Sequence, residues 1–380
     1  MLIRAEKPDD CRAIHDLTQA AFAPQPFADG FEGPLIDMLR DAGDLTLSLV
    51  ADEDGIIGHV AFSPAQITDA EGAWYALGPI SVRTDRHRQG IGRMLVETGL
   101  TILAERGAAG CVLTGNPTIY ERLGFTSDGN LHHHGTEDRY VLWRVLNGMR
   151  PKGFVTFAPA FDPANHVYVA PDVADVLALH PDVKSPAFRK LTIREQLDRQ
   201  AKTLLKAHKN CDARARMHLQ SWWPKAQGRT LEQIFDGTFT LYDARTTMAR
   251  EYGYAAAWDD VADAVADPTF EAALDALLDG NLVALFRLMQ DAPDLIRQRS
   301  SYGHRATFLH YLGSNGVESH RQVVPINAAY MAQRLMAAGA DPNATMQVYG
   351  GPQTPLALAC TSAHPIAAGI ADALNVALRP

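Results

Sequence analysis

Arg88-Gln89-Gly90-Ile91-Gly92-Arg93 sets two glycines and two arginines between an apolar run, Ala76 to Val82, and an amphipathic stretch that starts at Gly90. Those residue types suit capture of an anion. The first four N–H groups of a helix have no partner inside it, the dipole there favours negative charge, and glycine lets a ligand approach the backbone. Arg83, Arg86, Arg88 and Arg93 add charge and forked donors. Two familiar phosphate loops are excluded: Leu95 stands where G-x-G-x-x-G needs its third glycine, and G-x-x-x-x-G-K-S/T is absent.

The elements around this turn read as α+β. Residues 8 to 22 open with Pro and two Asp and then carry Cys11, Ile14, Leu17 and Ala21 at helical spacing; a second helix is expected over 31–41. Strand-like runs occupy 45–52, 56–62, 74–82, 111–115 and 140–145, bounded by Gly, Asp or Pro turns, which predicts a partly antiparallel sheet. Pro79 lies inside one such run. It cannot donate a ladder hydrogen bond, so that strand is expected to be bulged or splayed.

LGPISV followed by RQGIG (77–82 and 88–92), together with GNPTIYERLGF (115–125), resembles the GNAT acetyltransferase superfamily over roughly residues 1–162. The resemblance extends to GHVAFSP around His59 and to a closing strand near PKGFVTFAPAF. His87 stands where that family usually has Gln or Arg. The resemblance implies a GNAT fold, a mixed and partly antiparallel sheet flanked by helices, with acetyl-CoA as co-substrate and an amine as acceptor. It implies that the main chain at Ile80, Ser81, Val82, Gln89, Gly90, Ile91 and Gly92, with Arg88, Arg93 and Asn116, holds coenzyme A, and that Tyr120 protonates the leaving thiolate. A phenol's pKa lies close enough to a thiol's for that role. Glu32, His59 and Asp37 are candidates for the general base, as is a water relay, and the residues do not choose among them. A half-buried strand histidine and a solvated helix carboxylate are the plainer readings of His59 and Glu32.

His132-His133-His134 cannot all point one way on a strand, and no carboxylate or cysteine is spaced to complete a metal site. No metal is expected, and a loop near the acceptor entrance is the reading for these three.

The remaining chain differs in texture. Residues 163–267 read as a helical linker domain whose aromatics, Trp222, Trp223, Phe235 and Phe239, are core candidates. Residues 268–380 resemble ankyrin repeats, with T-x-L-H at Thr307 to His310, G-A-D-x-N-A at Gly339 to Ala344 and T-P-L-x-x-A at Thr354 to Ala359. Their spacing exceeds one repeat, so an insertion is expected over 317–325. The family implies a surface for a protein partner, or a tail that packs on the rest of the chain.

With 380 residues, 47% hydrophobic and 21% charged, the chain is long enough for two or three globular domains. A net charge of −9 argues against nucleic acid and favours a cationic amine. No apolar run approaches membrane-spanning length, the start is unlike a secretory signal, and the four cysteines lie far apart, so a cytoplasmic bacterial protein with reduced thiols is expected. Two functional readings follow: an acetyl-CoA-dependent N-acetyltransferase acting by direct attack in a ternary complex, or a non-catalytic acyl-CoA-sensing interaction module.

Overall fold

The computed structural model describes residues 1–25, 28–254 and 258–380. It divides into two compact units, Met1–His166 and Val167–Pro380.

In the first unit the order is β1 (Leu2–Ala5), α1 (Cys11–Phe22), α2 (Glu32–Asp41), β2 (Leu47–Asp52), β3 (Ile56–Ile67), β4 (Trp74–Val82), α3 (Ile91–Glu105), β5 (Gly110–Thr114), α4 (Pro117–Tyr120), β6 (Leu131–His132), β7 (Val141–Val145) and β8 (Gly153–Phe157). The main path of the sheet runs β1-β2-β3-β4-β5-β7, antiparallel except for the parallel β4–β5 pair; off this path β8 pairs antiparallel with β3 and parallel with β6. β3 runs five residues past the expected Phe62, because Ala65 to Ile67 pair with β8 on the edge that β2 leaves after Phe62. Pro64 is tolerated at that change of partner, where the missing N–H interrupts little.

Each face of the sheet is covered by helices. Ile91, Leu95, Val96, Gly99, Leu100 and Leu103 of α3 are buried, a helical stripe that meets Leu49, Ile57, Val60 and Phe62. Ile102, next to that stripe, is only half-buried. Ile14 of α1 and Ile36 of α2 pack with Val50 on the opposite face. Gly99 is the closest point of the α3 contact: a Cβ there would lie 2.3 Å from the Phe62 ring.

The second unit contains β9 (Val167–Tyr168), α5 (Pro171–Leu179), α6 (Pro186–Arg189), α7 (Ile193–Lys209), α8 (Arg216–Trp222), α9 (Leu231–Phe235), α10 (Leu241–Glu251), α11 (Pro268–Leu278), α12 (Leu282–Asp291), α13 (Phe308–Leu312), β10 (Val324–Pro325), α14 (Ala328–Ala337), the hairpin β11 (Met346–Val348) and β12 (Gly351–Gln353), α15 (Pro355–Thr361), α16 (Ala363–Ala367) and α17 (Ala371–Ala377). Two apolar clusters fill it. One gathers Leu179 to Ala266 with Tyr302, the other Phe270 to Leu378 with Ala170, Val173 and Trp222. The boundary expected at 267/268 falls inside this unit, where Asp267 caps α11 by accepting from the N–H groups of Thr269 and Phe270.

At the start of α13 the Thr307 N–H donates to His310 Nδ1 (3.1 Å), and His310 Nε2 donates to the Gln353 carbonyl (3.2 Å). At α15 the roles are reversed, and the Thr354 hydroxyl oxygen accepts from the Ala357 N–H (3.2 Å). Gly339, with φ +103°, supplies the left-handed residue just after α14. The 317–325 segment, expected as an insertion, is buried from Val317 to Val324 and stitched by polar contacts: Glu251 accepts from the Ser319 N–H, and Arg321 pairs with Glu271 and Glu318.

Candidate functional site

β4 carries the feature that Pro79 foretells. Against β3, Val60 pairs with Ile80 but Phe62 with Leu77, so β4 spends one residue more than β3 across the Gly78-Pro79 step, whose peptide bond is cis. On its other edge β4 pairs with β5 only from Trp74 to Ala76. From Leu77 onward the two parallel strands have parted.

Which groups face the resulting gap follows from the antiparallel alternation. Arg83 N–H donates to the Ile57 carbonyl (2.9 Å), making Ile57/Arg83, and two residues on His59/Ser81, the hydrogen-bonded pairs of β3 and β4. Ile80 and Val82 therefore direct their backbone groups away from β3, to the side where β5 has diverged. The Val82 carbonyl there accepts from His87 Nε2 (2.9 Å). Ser81 turns the other way: its main chain goes to β3, and its hydroxyl meets Thr18 Oγ1 of α1 at 3.0 Å. Of the three strand residues expected at the ligand, two present backbone to the gap.

The turn that follows is fastened by its own arginines. Arg83 binds Asp85 (2.6 Å), while Arg86 pairs with Glu53 (2.5 Å) and donates to Gln89 Oε1 (3.1 Å). Gly90, with φ +82°, is the N-cap of α3 and offers no side chain to the helix start. The first main-chain bond into the helix runs from Met94 N–H to Gly90 O, which leaves the N–H groups of Ile91, Gly92 and Arg93 free of helical partners. Arg88 and Arg93 are exposed and make no ion pair or hydrogen bond with any described residue. Two of the four arginines thus build the turn, and two remain without a partner among the described residues.

Tyr120 ends α4, directly after β5. Its ring meets Phe125 edge-on at 6.2 Å and lies over Gly115, where a Cβ would come within 2.5 Å of it. That explains the glycine of the GNP segment. Burial raises the Tyr120 pKa, so the phenol holds its proton, and its hydroxyl has no hydrogen-bond partner among the described residues. Asn116, expected at the ligand, caps α4: its Oδ1 accepts the Thr118 N–H at 3.0 Å.

The three candidate bases occupy different settings. His59 is 0% exposed; Nε2 meets Ser48 Oγ at 2.8 Å, Nδ1 is buried without a partner, and burial pushes its pKa down to about 4. Ser48 in turn donates to Glu6, Glu6 pairs with Arg40 (2.9 Å), Arg40 with Asp37 (2.6 Å), and Asp37 with His15 (2.6 Å). Asp37 and His59 therefore belong to one polar chain whose ends are His15 and His59. No spacing in the sequence announces it. Glu32 stands apart at the start of α2, half-buried, with its carboxyl raised by burial and accepting the Gly30 N–H at 3.2 Å. Beside it Asp29, also raised by burial, accepts the Phe31 N–H, and Phe31 stacks on His166 at 4.0 Å.

The histidine triplet disperses. His132 pairs with Asp138 (2.8 Å), His133 with the Val155 carbonyl (3.2 Å), and His134 stacks on the half-exposed Phe154.

A family model described as an acetyltransferase (GNAT) domain matches residues 44–127. An uncharacterized N-acetyltransferase, YhbS, of Escherichia coli K12 is 37% identical over 161 residues, which span 39% of this chain and 92% of that relative. Among solved structures, a GNAT family acetyltransferase from Brucella melitensis in complex with acetyl-CoA is 42% identical, covers 42% of this chain and 97% of that one, and superposes with a TM-score of 0.38. YhbS from Escherichia coli in complex with CoA is 34% identical over 42% of this chain and 91% of that one, with a TM-score of 0.38.

Proposed function

The chain belongs to the GNAT acetyltransferase family through its first unit, and from that premise we propose that it transfers the acetyl group of acetyl-CoA to an amine by direct attack, with both substrates bound together. The observation that carries this reading is the coincidence of an uncapped helix start, two unpaired arginines and a strand edge left open by a bulge. Free N–H groups at Ile91, Gly92 and Arg93, with the Arg88 and Arg93 guanidinium groups, suit a pyrophosphate. The open edge at Ile80 and Val82 suits an extended amide-bearing arm, which can add to a strand through main-chain hydrogen bonds.

In this reading the Ile80 or Val82 N–H donates to the thioester oxygen as charge builds on it, a preorganised contact away from bulk water. Tyr120, protonated and without a competing partner, gives its proton to the departing sulfur. Holding amine and thioester side by side supplies much of the remaining rate. For the base we favour Glu32, since its carboxyl is partly open and bound by one backbone N–H, whereas His59 is sealed and Asp37 is committed to Arg40 and His15.

The second unit's role belongs to the same proposal. Thr307, His310, Gly339 and Thr354 suit an ankyrin-like build for 268–380, serving a protein partner or packing within the chain.

Calorimetric titration of acetyl-CoA into the full chain and into an Arg88→Glu, Arg93→Glu variant tests the cofactor assignment. Binding by the wild type that the variant loses is expected. Equal binding by both would move the nucleotide away from the glycine turn, and no binding by the wild type would end the acetyltransferase reading.

A further inference from the structure

The second unit holds a cavity of about 220 Å3 between α6, the C-terminal end of α11 and the buried 3-10 turn Ser319–Arg321. Its polar lining is Lys184, Arg189, Asp275, Asp279, His320 and Arg321. Nothing in acetyl transfer uses these residues. Two of the cations are fixed from behind: Arg189 binds Asp275 through both terminal nitrogens, and Arg321, 5% exposed, lies between Glu271 and Glu318.

Among the residues that line the cavity, what is left unsatisfied is donor; outside the lining, Glu271 Oε1 and Glu318 Oε2 of the carboxylates that hold Arg321 also lack a hydrogen bond. Arg189 Nε and Arg321 Nη1 are buried without a hydrogen-bond partner. His320, also 5% exposed, makes no hydrogen bond with any described residue; one ring face is turned to Tyr252, with centroids 6.4 Å apart. Lys184 is exposed and unpaired at the mouth. Against these four the lining offers one carboxylate without a guanidinium partner, Asp279, whose carboxyl is raised by burial and lowered by the charge of Lys184. Burial, and then the charge of Arg321, push the His320 pKa down to about 3, so the ring is neutral and keeps one N–H to give.

A buried donor with no acceptor is costly, and a group of them around one cavity is relieved by a ligand that brings acceptors. We propose that this cavity binds a small oxyanion, the carboxylate or phosphate of a ligand with few heavy atoms, through His320, Arg321, Arg189 and Lys184. The size agrees. Pockets for drug-sized molecules start at about 300 Å3, and this one is smaller.

Inorganic phosphate and malonate are the probes, titrated by calorimetry into the full chain. The glycine turn of the first unit is a second place for an anion, so the Arg88→Glu, Arg93→Glu variant separates the two sites. Lys184→Glu reverses an exposed charge and leaves the core untouched; His320→Phe keeps the ring and removes its N–H. The expected result is that at least one probe binds the wild type and the glycine-turn variant alike, and that Lys184→Glu and His320→Phe each weaken it about tenfold or more, a loss of about 1.4 kcal/mol. Preference for phosphate or for malonate then names the head group. The proposal fails if neither probe binds up to about 10 mM, if binding disappears with the glycine-turn variant, or if Lys184→Glu and His320→Phe both bind as the wild type does. None of these outcomes depends on whether acetyl transfer occurs.

Discussion

Tyr120 and His59 are both buried polar groups, and burial acts on them in opposite directions. For the phenol it disfavours the anion and keeps the proton in place, as a donor to a leaving thiolate requires. Tyr120→Phe keeps the edge-on contact with Phe125 and the fit over Gly115, so it should lower kcat about 100-fold while the KM for acetyl-CoA barely moves. Steady-state kinetics with any accepted amine read this directly, and an unchanged kcat would remove the acid role. Glu32→Gln belongs in the same assay as the test of the base. For His59 burial disfavours the cation, so its folded pKa, about 4, lies below the ordinary 6.5. Between those values the unfolded chain takes up a proton that the folded chain refuses. Stability is therefore full above pH 6.5 and falls as pH drops toward 4, by ~3 kcal/mol at most. His59→Gln keeps a partner for Ser48 and has no proton to refuse; its melting temperature should fall less steeply over that range than the wild type's. Parallel slopes would mean that His59 is not the group being titrated.

At the scale of elements, the join between α3 and β3 sets how closely the helix and its N-terminal end approach the sheet. Gly99 is the point of contact, with the Phe62 ring 2.3 Å from where a Cβ would sit and Phe62 itself 0% exposed. Gly99→Ala gains up to about 1 kcal/mol of helix propensity but overpacks a closed core, which costs about 1–3 kcal/mol. The overpacking should win: a lower melting temperature is expected, restored in part by Phe62→Leu in the same chain, and a stabilised single variant would refute the tight contact. What could be read from sequence divides along the same physical line. The bulge of β4 follows from Pro79 and the α3 start from Gly90, because each is dictated by the covalent chemistry of one residue. β1, β6 and the extension of β3 to Ile67 did not show, since short strands exist only through partners far along the chain, as Leu2 with Asp52 or Ala65 with Phe157. The chain of contacts from His59 through Ser48, Glu6 and Arg40 to Asp37 was hidden for the same reason, and so was the buried turn at Ser319–Arg321, whose polar composition reads as surface.

For the whole molecule the question is which part is sufficient for acetyl-CoA. All apolar clusters of the first unit draw on residues before 162, and those of the second on residues after 166. The relative from Escherichia coli K12 has 92% of its length matched by only 39% of this chain, so a protein of about the first unit's size exists by itself. A core that closes within one stretch of sequence is the physical condition for a domain that folds alone. The fragment Met1–His166 should therefore fold cooperatively, by circular dichroism on heating, and should bind acetyl-CoA within about threefold of the full chain's Kd, a difference under 1 kcal/mol. In the full chain, saturating acetyl-CoA should slow amide exchange at Ile80, Val82 and Ile91 to Arg93, because a ligand that binds only the folded form must protect what it touches. A fragment that folds but binds more than tenfold more weakly would make the second unit part of the acetyl-CoA site, and the exchange map would show which of its segments contributes.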